Sequence, residues 1–222
     1  MKKLFFLSAL FVLCLQFNGF SQKSRVGITR GISLSNQYGT IGTKRVKDDS
    51  NVGYTAGLYV NTPLGKSHIS FQPGVFYTHK GRTQLVSFKE KTYFHLRYAD
   101  FQFNFLYNTN GKKGNYYIGA GPSVSFQLPS YAQTIVKSFG LYGEDWGKLG
   151  TRSVNFGDAS NSDFKGIDYG VNFMTGYALP NGLAFGFNYN VGLRNIVPIP
   201  VGTDKLNNHY AAFRVSYLVK NK

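Results

Sequence analysis

Eight stretches of this chain alternate apolar and polar residues, and the connections between them alternate between short and long. The clearest stretch places Tyr116, Ile118, Ala120, Pro122, Val124, Phe126 and Leu128 at one parity, and Tyr117, Gly119, Gly121, Ser123, Ser125 and Gln127 at the other. A period of two sends these sets to opposite sides of a strand. The second set is too small and polar to fill a soluble core, while the first is rich in aromatics. This is the pattern of a strand with lipid outside and polar packing inside.

The same reading predicts strands over 24–34, 52–62, 67–79, 93–107, 114–128, 165–179, 182–194 and 209–219. Lengths near 11 residues suit a tilted membrane-spanning strand. The fourth turns Ala99, Phe101, Phe103, Phe105 and Tyr107 outward, with Asp100, Gln102 and Asn104 inward. In the sixth, Asp168, Gly170, Asn172 and Gly176 face inward. The seventh and eighth add Asn188, Asn190, Arg194, Arg214 and Ser216 to the inner set. Three connections are short and carry turn chemistry: Pro63-Leu64-Gly65, 108–113 with Asn110-Gly111, and Pro180-Asn181-Gly182. Asn-Gly readily takes the positive φ angles of tight hairpins. The other four, near 35–51, 80–92, 129–164 and 195–208, are long and polar, and all emerge on one rim. The expected fold is all-β: an eight-stranded antiparallel up-and-down transmembrane β-barrel, with short turns toward the periplasm and long loops outside.

Three residues strain against this frame. Pro73 and Pro122 each remove a ladder hydrogen bond within a strand, so bulges are expected there. Arg30 falls on the lipid face between Ile28 and Ile32. At mid-membrane that costs about 2–4 kcal/mol, so a bulge should turn it inward or it should sit near a rim.

The first 21 residues read as a signal peptide: Lys2 and Lys3, an apolar run over 4–15, then Gly19-Phe20-Ser21 as a cleavage site. The barrel domain is then 22–222, and the protein is exported to the outer membrane. The apolar run is too short for a spanning helix. Cys14, the single cysteine, lies within it, so the mature chain has no disulfide and no thiol chemistry.

Composition narrows the partners. Beyond the signal no apolar run approaches the roughly 20 residues of a spanning helix, and 20 Phe, 16 Tyr and 26 Gly favour strands over helices. The formal charge is +15, or +13 without Lys2 and Lys3. The basic residues scatter over loops rather than forming an aromatic-interleaved stripe, which, with export, argues against nucleic acid. Outer-membrane lipid and lipopolysaccharide phosphates are the better match. A protein partner of unknown identity and a monomeric barrel complete the expectation.

The chain resembles the PorT-like outer-membrane β-barrel proteins, also called the porin family, over essentially all of 22–222. The resemblance is carried by 27–33, by Gly53-Tyr54-Thr55-Ala56-Gly57-Leu58, by Phe71-Gln72-Pro73-Gly74-Val75-Phe76-Tyr77 with Lys80-Gly81, by 98–107, by Gly119-Ala120-Gly121-Pro122, and by 189–196. It departs in lacking a proline near Gln102 and in ending on Lys220-Asn221-Lys222. The resemblance implies fold and outer-membrane location; members differ in activity, and the family name suggests support of protein secretion or surface assembly.

An eight-stranded barrel has an interior just wide enough for its own side chains. A closed lumen is therefore expected, with Asp100 and Asp168 pairing with Arg194 or Arg214, since an isolated buried charge is very expensive. Specificity then belongs to loops. The longest, 129–164, holds Tyr131, Tyr142 and Trp146, residue types that often anchor binding; a loop simply folded over the barrel mouth is the plainer reading. The leading expectation is a non-enzymatic scaffold or interaction barrel with long extracellular loops. A narrow small-solute channel is the first alternative. A rim-located hydrolase is the second, with His79, His95 and His209 near the outer rim and Ser87 and Asp204 on outer loops. No nucleophile elbow or zinc-binding helix motif occurs, and no cofactor or metal is expected. A soluble lipocalin-like barrel would need the opposite facing of large and small residues.

Overall fold

The computed structural model describes residues 24–46, 49–87, 89–111, 113–140 and 143–219, so the signal-peptide expectation for 1–21 lies outside the described residues. The described chain is all strand and turn: β1 (Arg25–Ile41), β2 (Lys44–Arg45), β3 (Asn51–Pro63), β4 (Ile69–Ser87), β5 (Glu90–Asn108), β6 (Asn115–Gly140), β7 (Gly143–Ser153), β8 (Ile167–Ala178), β9 (Leu183–Gly192) and β10 (Lys205–Leu218). Among the described residues no helix is long and apolar enough to cross a membrane. Eight strands form the ring β1-β3-β4-β5-β6-β8-β9-β10. It closes by antiparallel pairing of β10 with β1 from Gly27↔Leu218 to Thr40↔Lys205. β2 pairs with β1, and β7 with β6.

The register fixes the tilt. From Gly27 the Cα partners run through Tyr59, Gly74, Gln102, Ser123, Gly170 and Gly192. Gly192 packs on the Asn208 backbone, and Asn208 pairs with Gln37, so one circuit ends ten residues further along β1. Eight strands with this stagger stand steeply tilted and enclose only enough space for side chains.

The facing is inverted relative to a soluble protein. Ile28, Ile32, Leu58, Phe101, Phe105, Phe173, Phe187 and Phe213 are exposed on the outer surface. Ser33, Thr55, Thr78, Gln102, Asn104, Asn172 and Asn190 are buried inside. Gln127, expected inside, is exposed where β8 begins.

The outer ends differ most from the sequence expectation. The predicted long loops at 35–51, 80–92 and 129–164 are largely paired backbone: β1 runs on to Ile41, β4 and β5 meet at a tight turn, and β6 continues to Gly140 before returning as β7. A spanning strand needs about 9–11 residues, so β4 and β5 at 19 residues and β6 at 26 extend well past the membrane.

Neither Pro73 nor Pro122 forms a bulge. Pro73 stays in register with Phe103, and Pro122 with Val171. On its other side each faces a gap: β3–β4 pairing skips from Tyr59↔Gly74 to Thr62↔Phe71, and β5–β6 pairing skips from Gln102↔Ser123 to Phe105↔Ala120. The missing N–H opens the ladder locally without adding a residue. A register shift does fall at Pro129, between His95↔Tyr131 and Arg97↔Leu128, a position where proline removes no needed donor.

Arg30 is not turned inward. The β1 register runs without a shift, and Arg30 is exposed on the lipid face beside Ala56 and Val215. Its apolar stem can lie along the wall while the guanidinium reaches toward the nearer, periplasmic interface. Arg30→Leu should raise the unfolding free energy of the refolded barrel by about 1–3 kcal/mol, measured by urea titration in lipid vesicles.

Candidate functional site

The alternation that puts aromatics in lipid brings the carboxylates of Asp100 and Asp168 into the lumen with Lys80 and Arg214 beside them. Asp100 is fully buried and accepts three hydrogen bonds: from Ser125 Oγ (2.8 Å), Gln102 Nε2 (2.7 Å) and the Tyr210 hydroxyl (2.8 Å). Asp168 accepts from Asn208 Nδ2 at 2.9 Å and pairs with Lys80, Nζ to Oδ2 3.6 Å. Lys80 Nζ also donates to Ser125 Oγ at 2.8 Å and stands 5.0 and 5.3 Å from the Tyr98 and Tyr210 ring centroids. Ser125 thus relays Lys80 to Asp100, and one cation serves both carboxylates. Arg214 donates Nη1 to Gln102 Oε1 (3.3 Å) and lies 4.3 Å from the Phe76 ring centre. Gln102 in turn donates to Asp100, so Arg214 reaches that carboxylate indirectly.

The expected pairing therefore needs correction in three respects. Asp168 pairs with Lys80 rather than with an arginine. Asp100 is satisfied by neutral donors. Arg194 is not in the lumen: it lies past the end of β9, its guanidinium 5.9 Å from the Tyr169 ring centre and its carbonyl accepting from Asn207 Nδ2. Lys80 was missed because 80–92 was read as a loop. Its parity with Gln72, Gly74, Phe76 and Thr78 was the available signal.

Outward of this network an apolar cap closes the mouth. Phe94, Leu96, Tyr98, Ala132 and Leu206 from the strands pack against Val154, Phe164 and Ile196 from the connecting segments. The segment 154–164 therefore folds over the mouth, whereas the described residues of 129–153, the part of the expected loop that holds the candidate anchors, are paired strand. The 154–164 segment is pinned by Asp163, whose carboxylate takes two 2.8 Å bonds from Arg152 and one from the Asn155 N–H. The Arg152 hydrogen bonds hold the Asp163 carboxyl below its ordinary value, against a smaller opposing effect of burial.

The loop anchors separate. Tyr131 belongs to β6, faces outward, stacks on His95 with centroids 4.6 Å apart, and lies under Arg97 at 5.1 Å. Tyr142 and the side chain of Trp146 lie outside the described residues; the Trp146 backbone pairs with Lys137 in the β6–β7 hairpin. Tyr131 joins a ladder of outward rings instead: Tyr54 on Tyr77 (5.2 Å), His79 beside His95 (5.2 Å, ring nitrogens 3.3 Å apart), then Tyr131. Such rings suit a membrane–water interface. Of the candidate hydrolytic residues, His79 and His95 meet in this ladder and the others stand apart from them: His209 packs on Tyr38 and Tyr189, and Asp204 caps the Gly42 N–H at 2.6 Å. The Ser87 side chain lies outside the described residues. Among the described residues no three His, Cys, Asp or Glu side chains cluster to hold a metal ion.

Toward the periplasm the lumen is open. A cavity of about 360 Å³ runs from Arg25 and the turns at Asn110 and Pro180 up to Phe76, Asn188 and Arg214.

Two outcomes test this geometry. Lys80→Met should destabilise the barrel by about 3–5 kcal/mol by stranding Asp168, with most of the loss recovered in Lys80→Met/Asp168→Asn, read by denaturant unfolding. The Asp163 contribution, about 0.5–1 kcal/mol after allowance for solvent exposure of Arg152, is complete above the unfolded carboxylate pKa and is lost as pH falls through the lower folded value. Asp163→Asn should be cleaved by pepsin within 143–164 faster than the native chain at mildly acidic pH, and the ratio of the two rates, taken at each pH so that the protease's own acid dependence cancels, should fall toward one as pH drops.

Solved structures similar to this chain include Ail, the attachment invasion locus protein of Yersinia pestis, at 10% identity with a TM-score of 0.43, covering 89% of this chain and 100% of Ail. Neisserial surface protein A gives 10% identity and a TM-score of 0.40, covering 86% of this chain and 96% of that one. OprG from Pseudomonas aeruginosa gives 10% and 0.36, covering 89% and 96%. No curated protein matches the chain. The family model for outer membrane protein beta-barrel domains matches residues 20–197, and the chain belongs to that family.

Proposed function

We propose that this protein is a non-enzymatic outer-membrane scaffold whose working surface is its outer extension, with the lumen closed to bulk flow. The observation that carries the reading is the contrast between a plugged upper lumen and strands prolonged well beyond the membrane. β7 pairs with β6 alone among the described strands. Its other edge offers unpaired backbone groups to a partner strand, a recognised mode of protein recognition. The outward rings and Arg97 suit the lipopolysaccharide of the outer leaflet. Support of protein secretion or surface assembly, the role implied by the PorT-like resemblance, fits a scaffold of this shape.

Removing 135–148 joins β6 to β7 near the paired residues Thr134 and Gly150. The shortened protein should still fold, shown by a heat-modifiable band on gels, and should lose partner crosslinks on intact cells. Retention of the same crosslinks would overturn the reading. A small-solute channel is the second reading, favoured by the cavity at the periplasmic end. Large, stable conductance steps from the native protein in planar bilayers would establish it over the scaffold.

A further inference from the structure

The periplasmic cavity has a built end. Arg214 is 4% exposed, yet its Nε and Nη2 have no hydrogen-bond partner, while Nη1 is held by Gln102. Nε and Nη2 form one side of the guanidinium fork, the edge that matches two oxygens of a carboxylate or phosphate. The Phe76 ring lies 4.3 Å from the guanidinium carbon and fixes the plane of the fork. Asn188, 1% exposed and also lining the cavity, has an unpartnered Nδ2 donor. Ser216 and the Tyr59 and Tyr117 rings line the walls, and Arg25 stands at the mouth. No Asp or Glu is among the described residues lining the space.

Electrostatics sets the ligand class. The lining carries two cations and no anion, inside walls of low dielectric. Asp100 makes no direct ion pair with Arg214; Gln102, which bonds both, stands between them. A buried donor left unmade is costly, and a charged one more so. The glycines keep the space open: a Cβ at Gly186 would come within 2.6 Å of the Tyr117 hydroxyl.

We propose that this cavity is a binding site for a small organic or inorganic oxyanion entering from the periplasm, held side-on by Nε and Nη2 of Arg214 with Asn188 Nδ2 as third donor. The apolar walls, Phe76, Leu106, Ala184 and Leu218 among them, take the body of an organic ligand. This goes beyond the scaffold reading, since it concerns the opposite end of the barrel and survives loss of the outer hairpin.

The test uses the folded full-length barrel in detergent, titrated with sodium benzoate or with sodium phosphate against sodium chloride at equal ionic strength. Thermal unfolding is followed by the heat-modifiable band. A saturable rise in Tm with at least one oxyanion, absent with chloride, is expected. The benzoate and phosphate arms then tell a carboxylate from a phosphate ligand. Arg214→Gln should abolish the rise, and Asn188→Leu should weaken apparent affinity about tenfold. Lys66→Gln, exposed on a periplasmic turn outside the cavity lining, should leave it unchanged. If Arg214→Gln fails to fold, Asn188→Leu decides, because it keeps the charge and removes one donor. No saturable rise in the native protein, or an undiminished one in the folded variants, would overturn the proposal.

Discussion

Lipid offers no hydrogen bonds, so every backbone N–H and C=O in the membrane must find a partner within the protein. That requirement drives β10 back onto β1 along fourteen paired positions, Gly27 to Thr40. Once the ring closes at eight strands with a ten-residue stagger, its inner diameter is set. The polar interior is then a packing problem rather than a channel by default. The two proline positions show how strictly the rule is applied. The ladder opens only on the side where the donor is missing, and the opposite side remains in register at Phe103 and Val171.

The interior solves its charge problem unevenly. Lys80 is placed between two carboxylates and two tyrosine rings, so a single ammonium offsets Asp168 directly and Asp100 through Ser125. Tyr210 and Gln102 complete the shell around Asp100. Asp100, so surrounded, rigidifies the outer half of the lumen, while Asp168 keeps one oxygen, Oδ1, without a hydrogen-bond partner. Arg214 receives less. It sits where the packed half ends and the open half begins, with one nitrogen satisfied and two free.

How much of this was legible in the sequence depended on where lipid is. Between the interfaces the alternation is strong because one face meets acyl chains, and strands such as 93–107 and 114–128 were read within a few residues of their inner ends. Beyond the interface neither face meets lipid. Thr83, Gln84, Lys91, Thr92, Gln133 and Thr134 are polar on both parities and still form strand, so the same rule returned loops there. The site errors share that cause. Lys80 was lost with the outward part of β4, whereas Arg194 was gained by extending parity past the true end of β9. Asp100, Asp168 and Arg214, deep in the wall where the alternation is strong, are buried on the inner parity.

The length of β6 has a mechanical consequence. One uninterrupted strand passes from the inner turn at Asn115 through the membrane to the hairpin tip at Gly140. Tension applied at that tip runs along the strand and loads its lateral hydrogen bonds with β5 and β8 in shear, many at once, rather than peeling them singly. An object tethered there would be held by the barrel wall itself, and the cell envelope would take up the force.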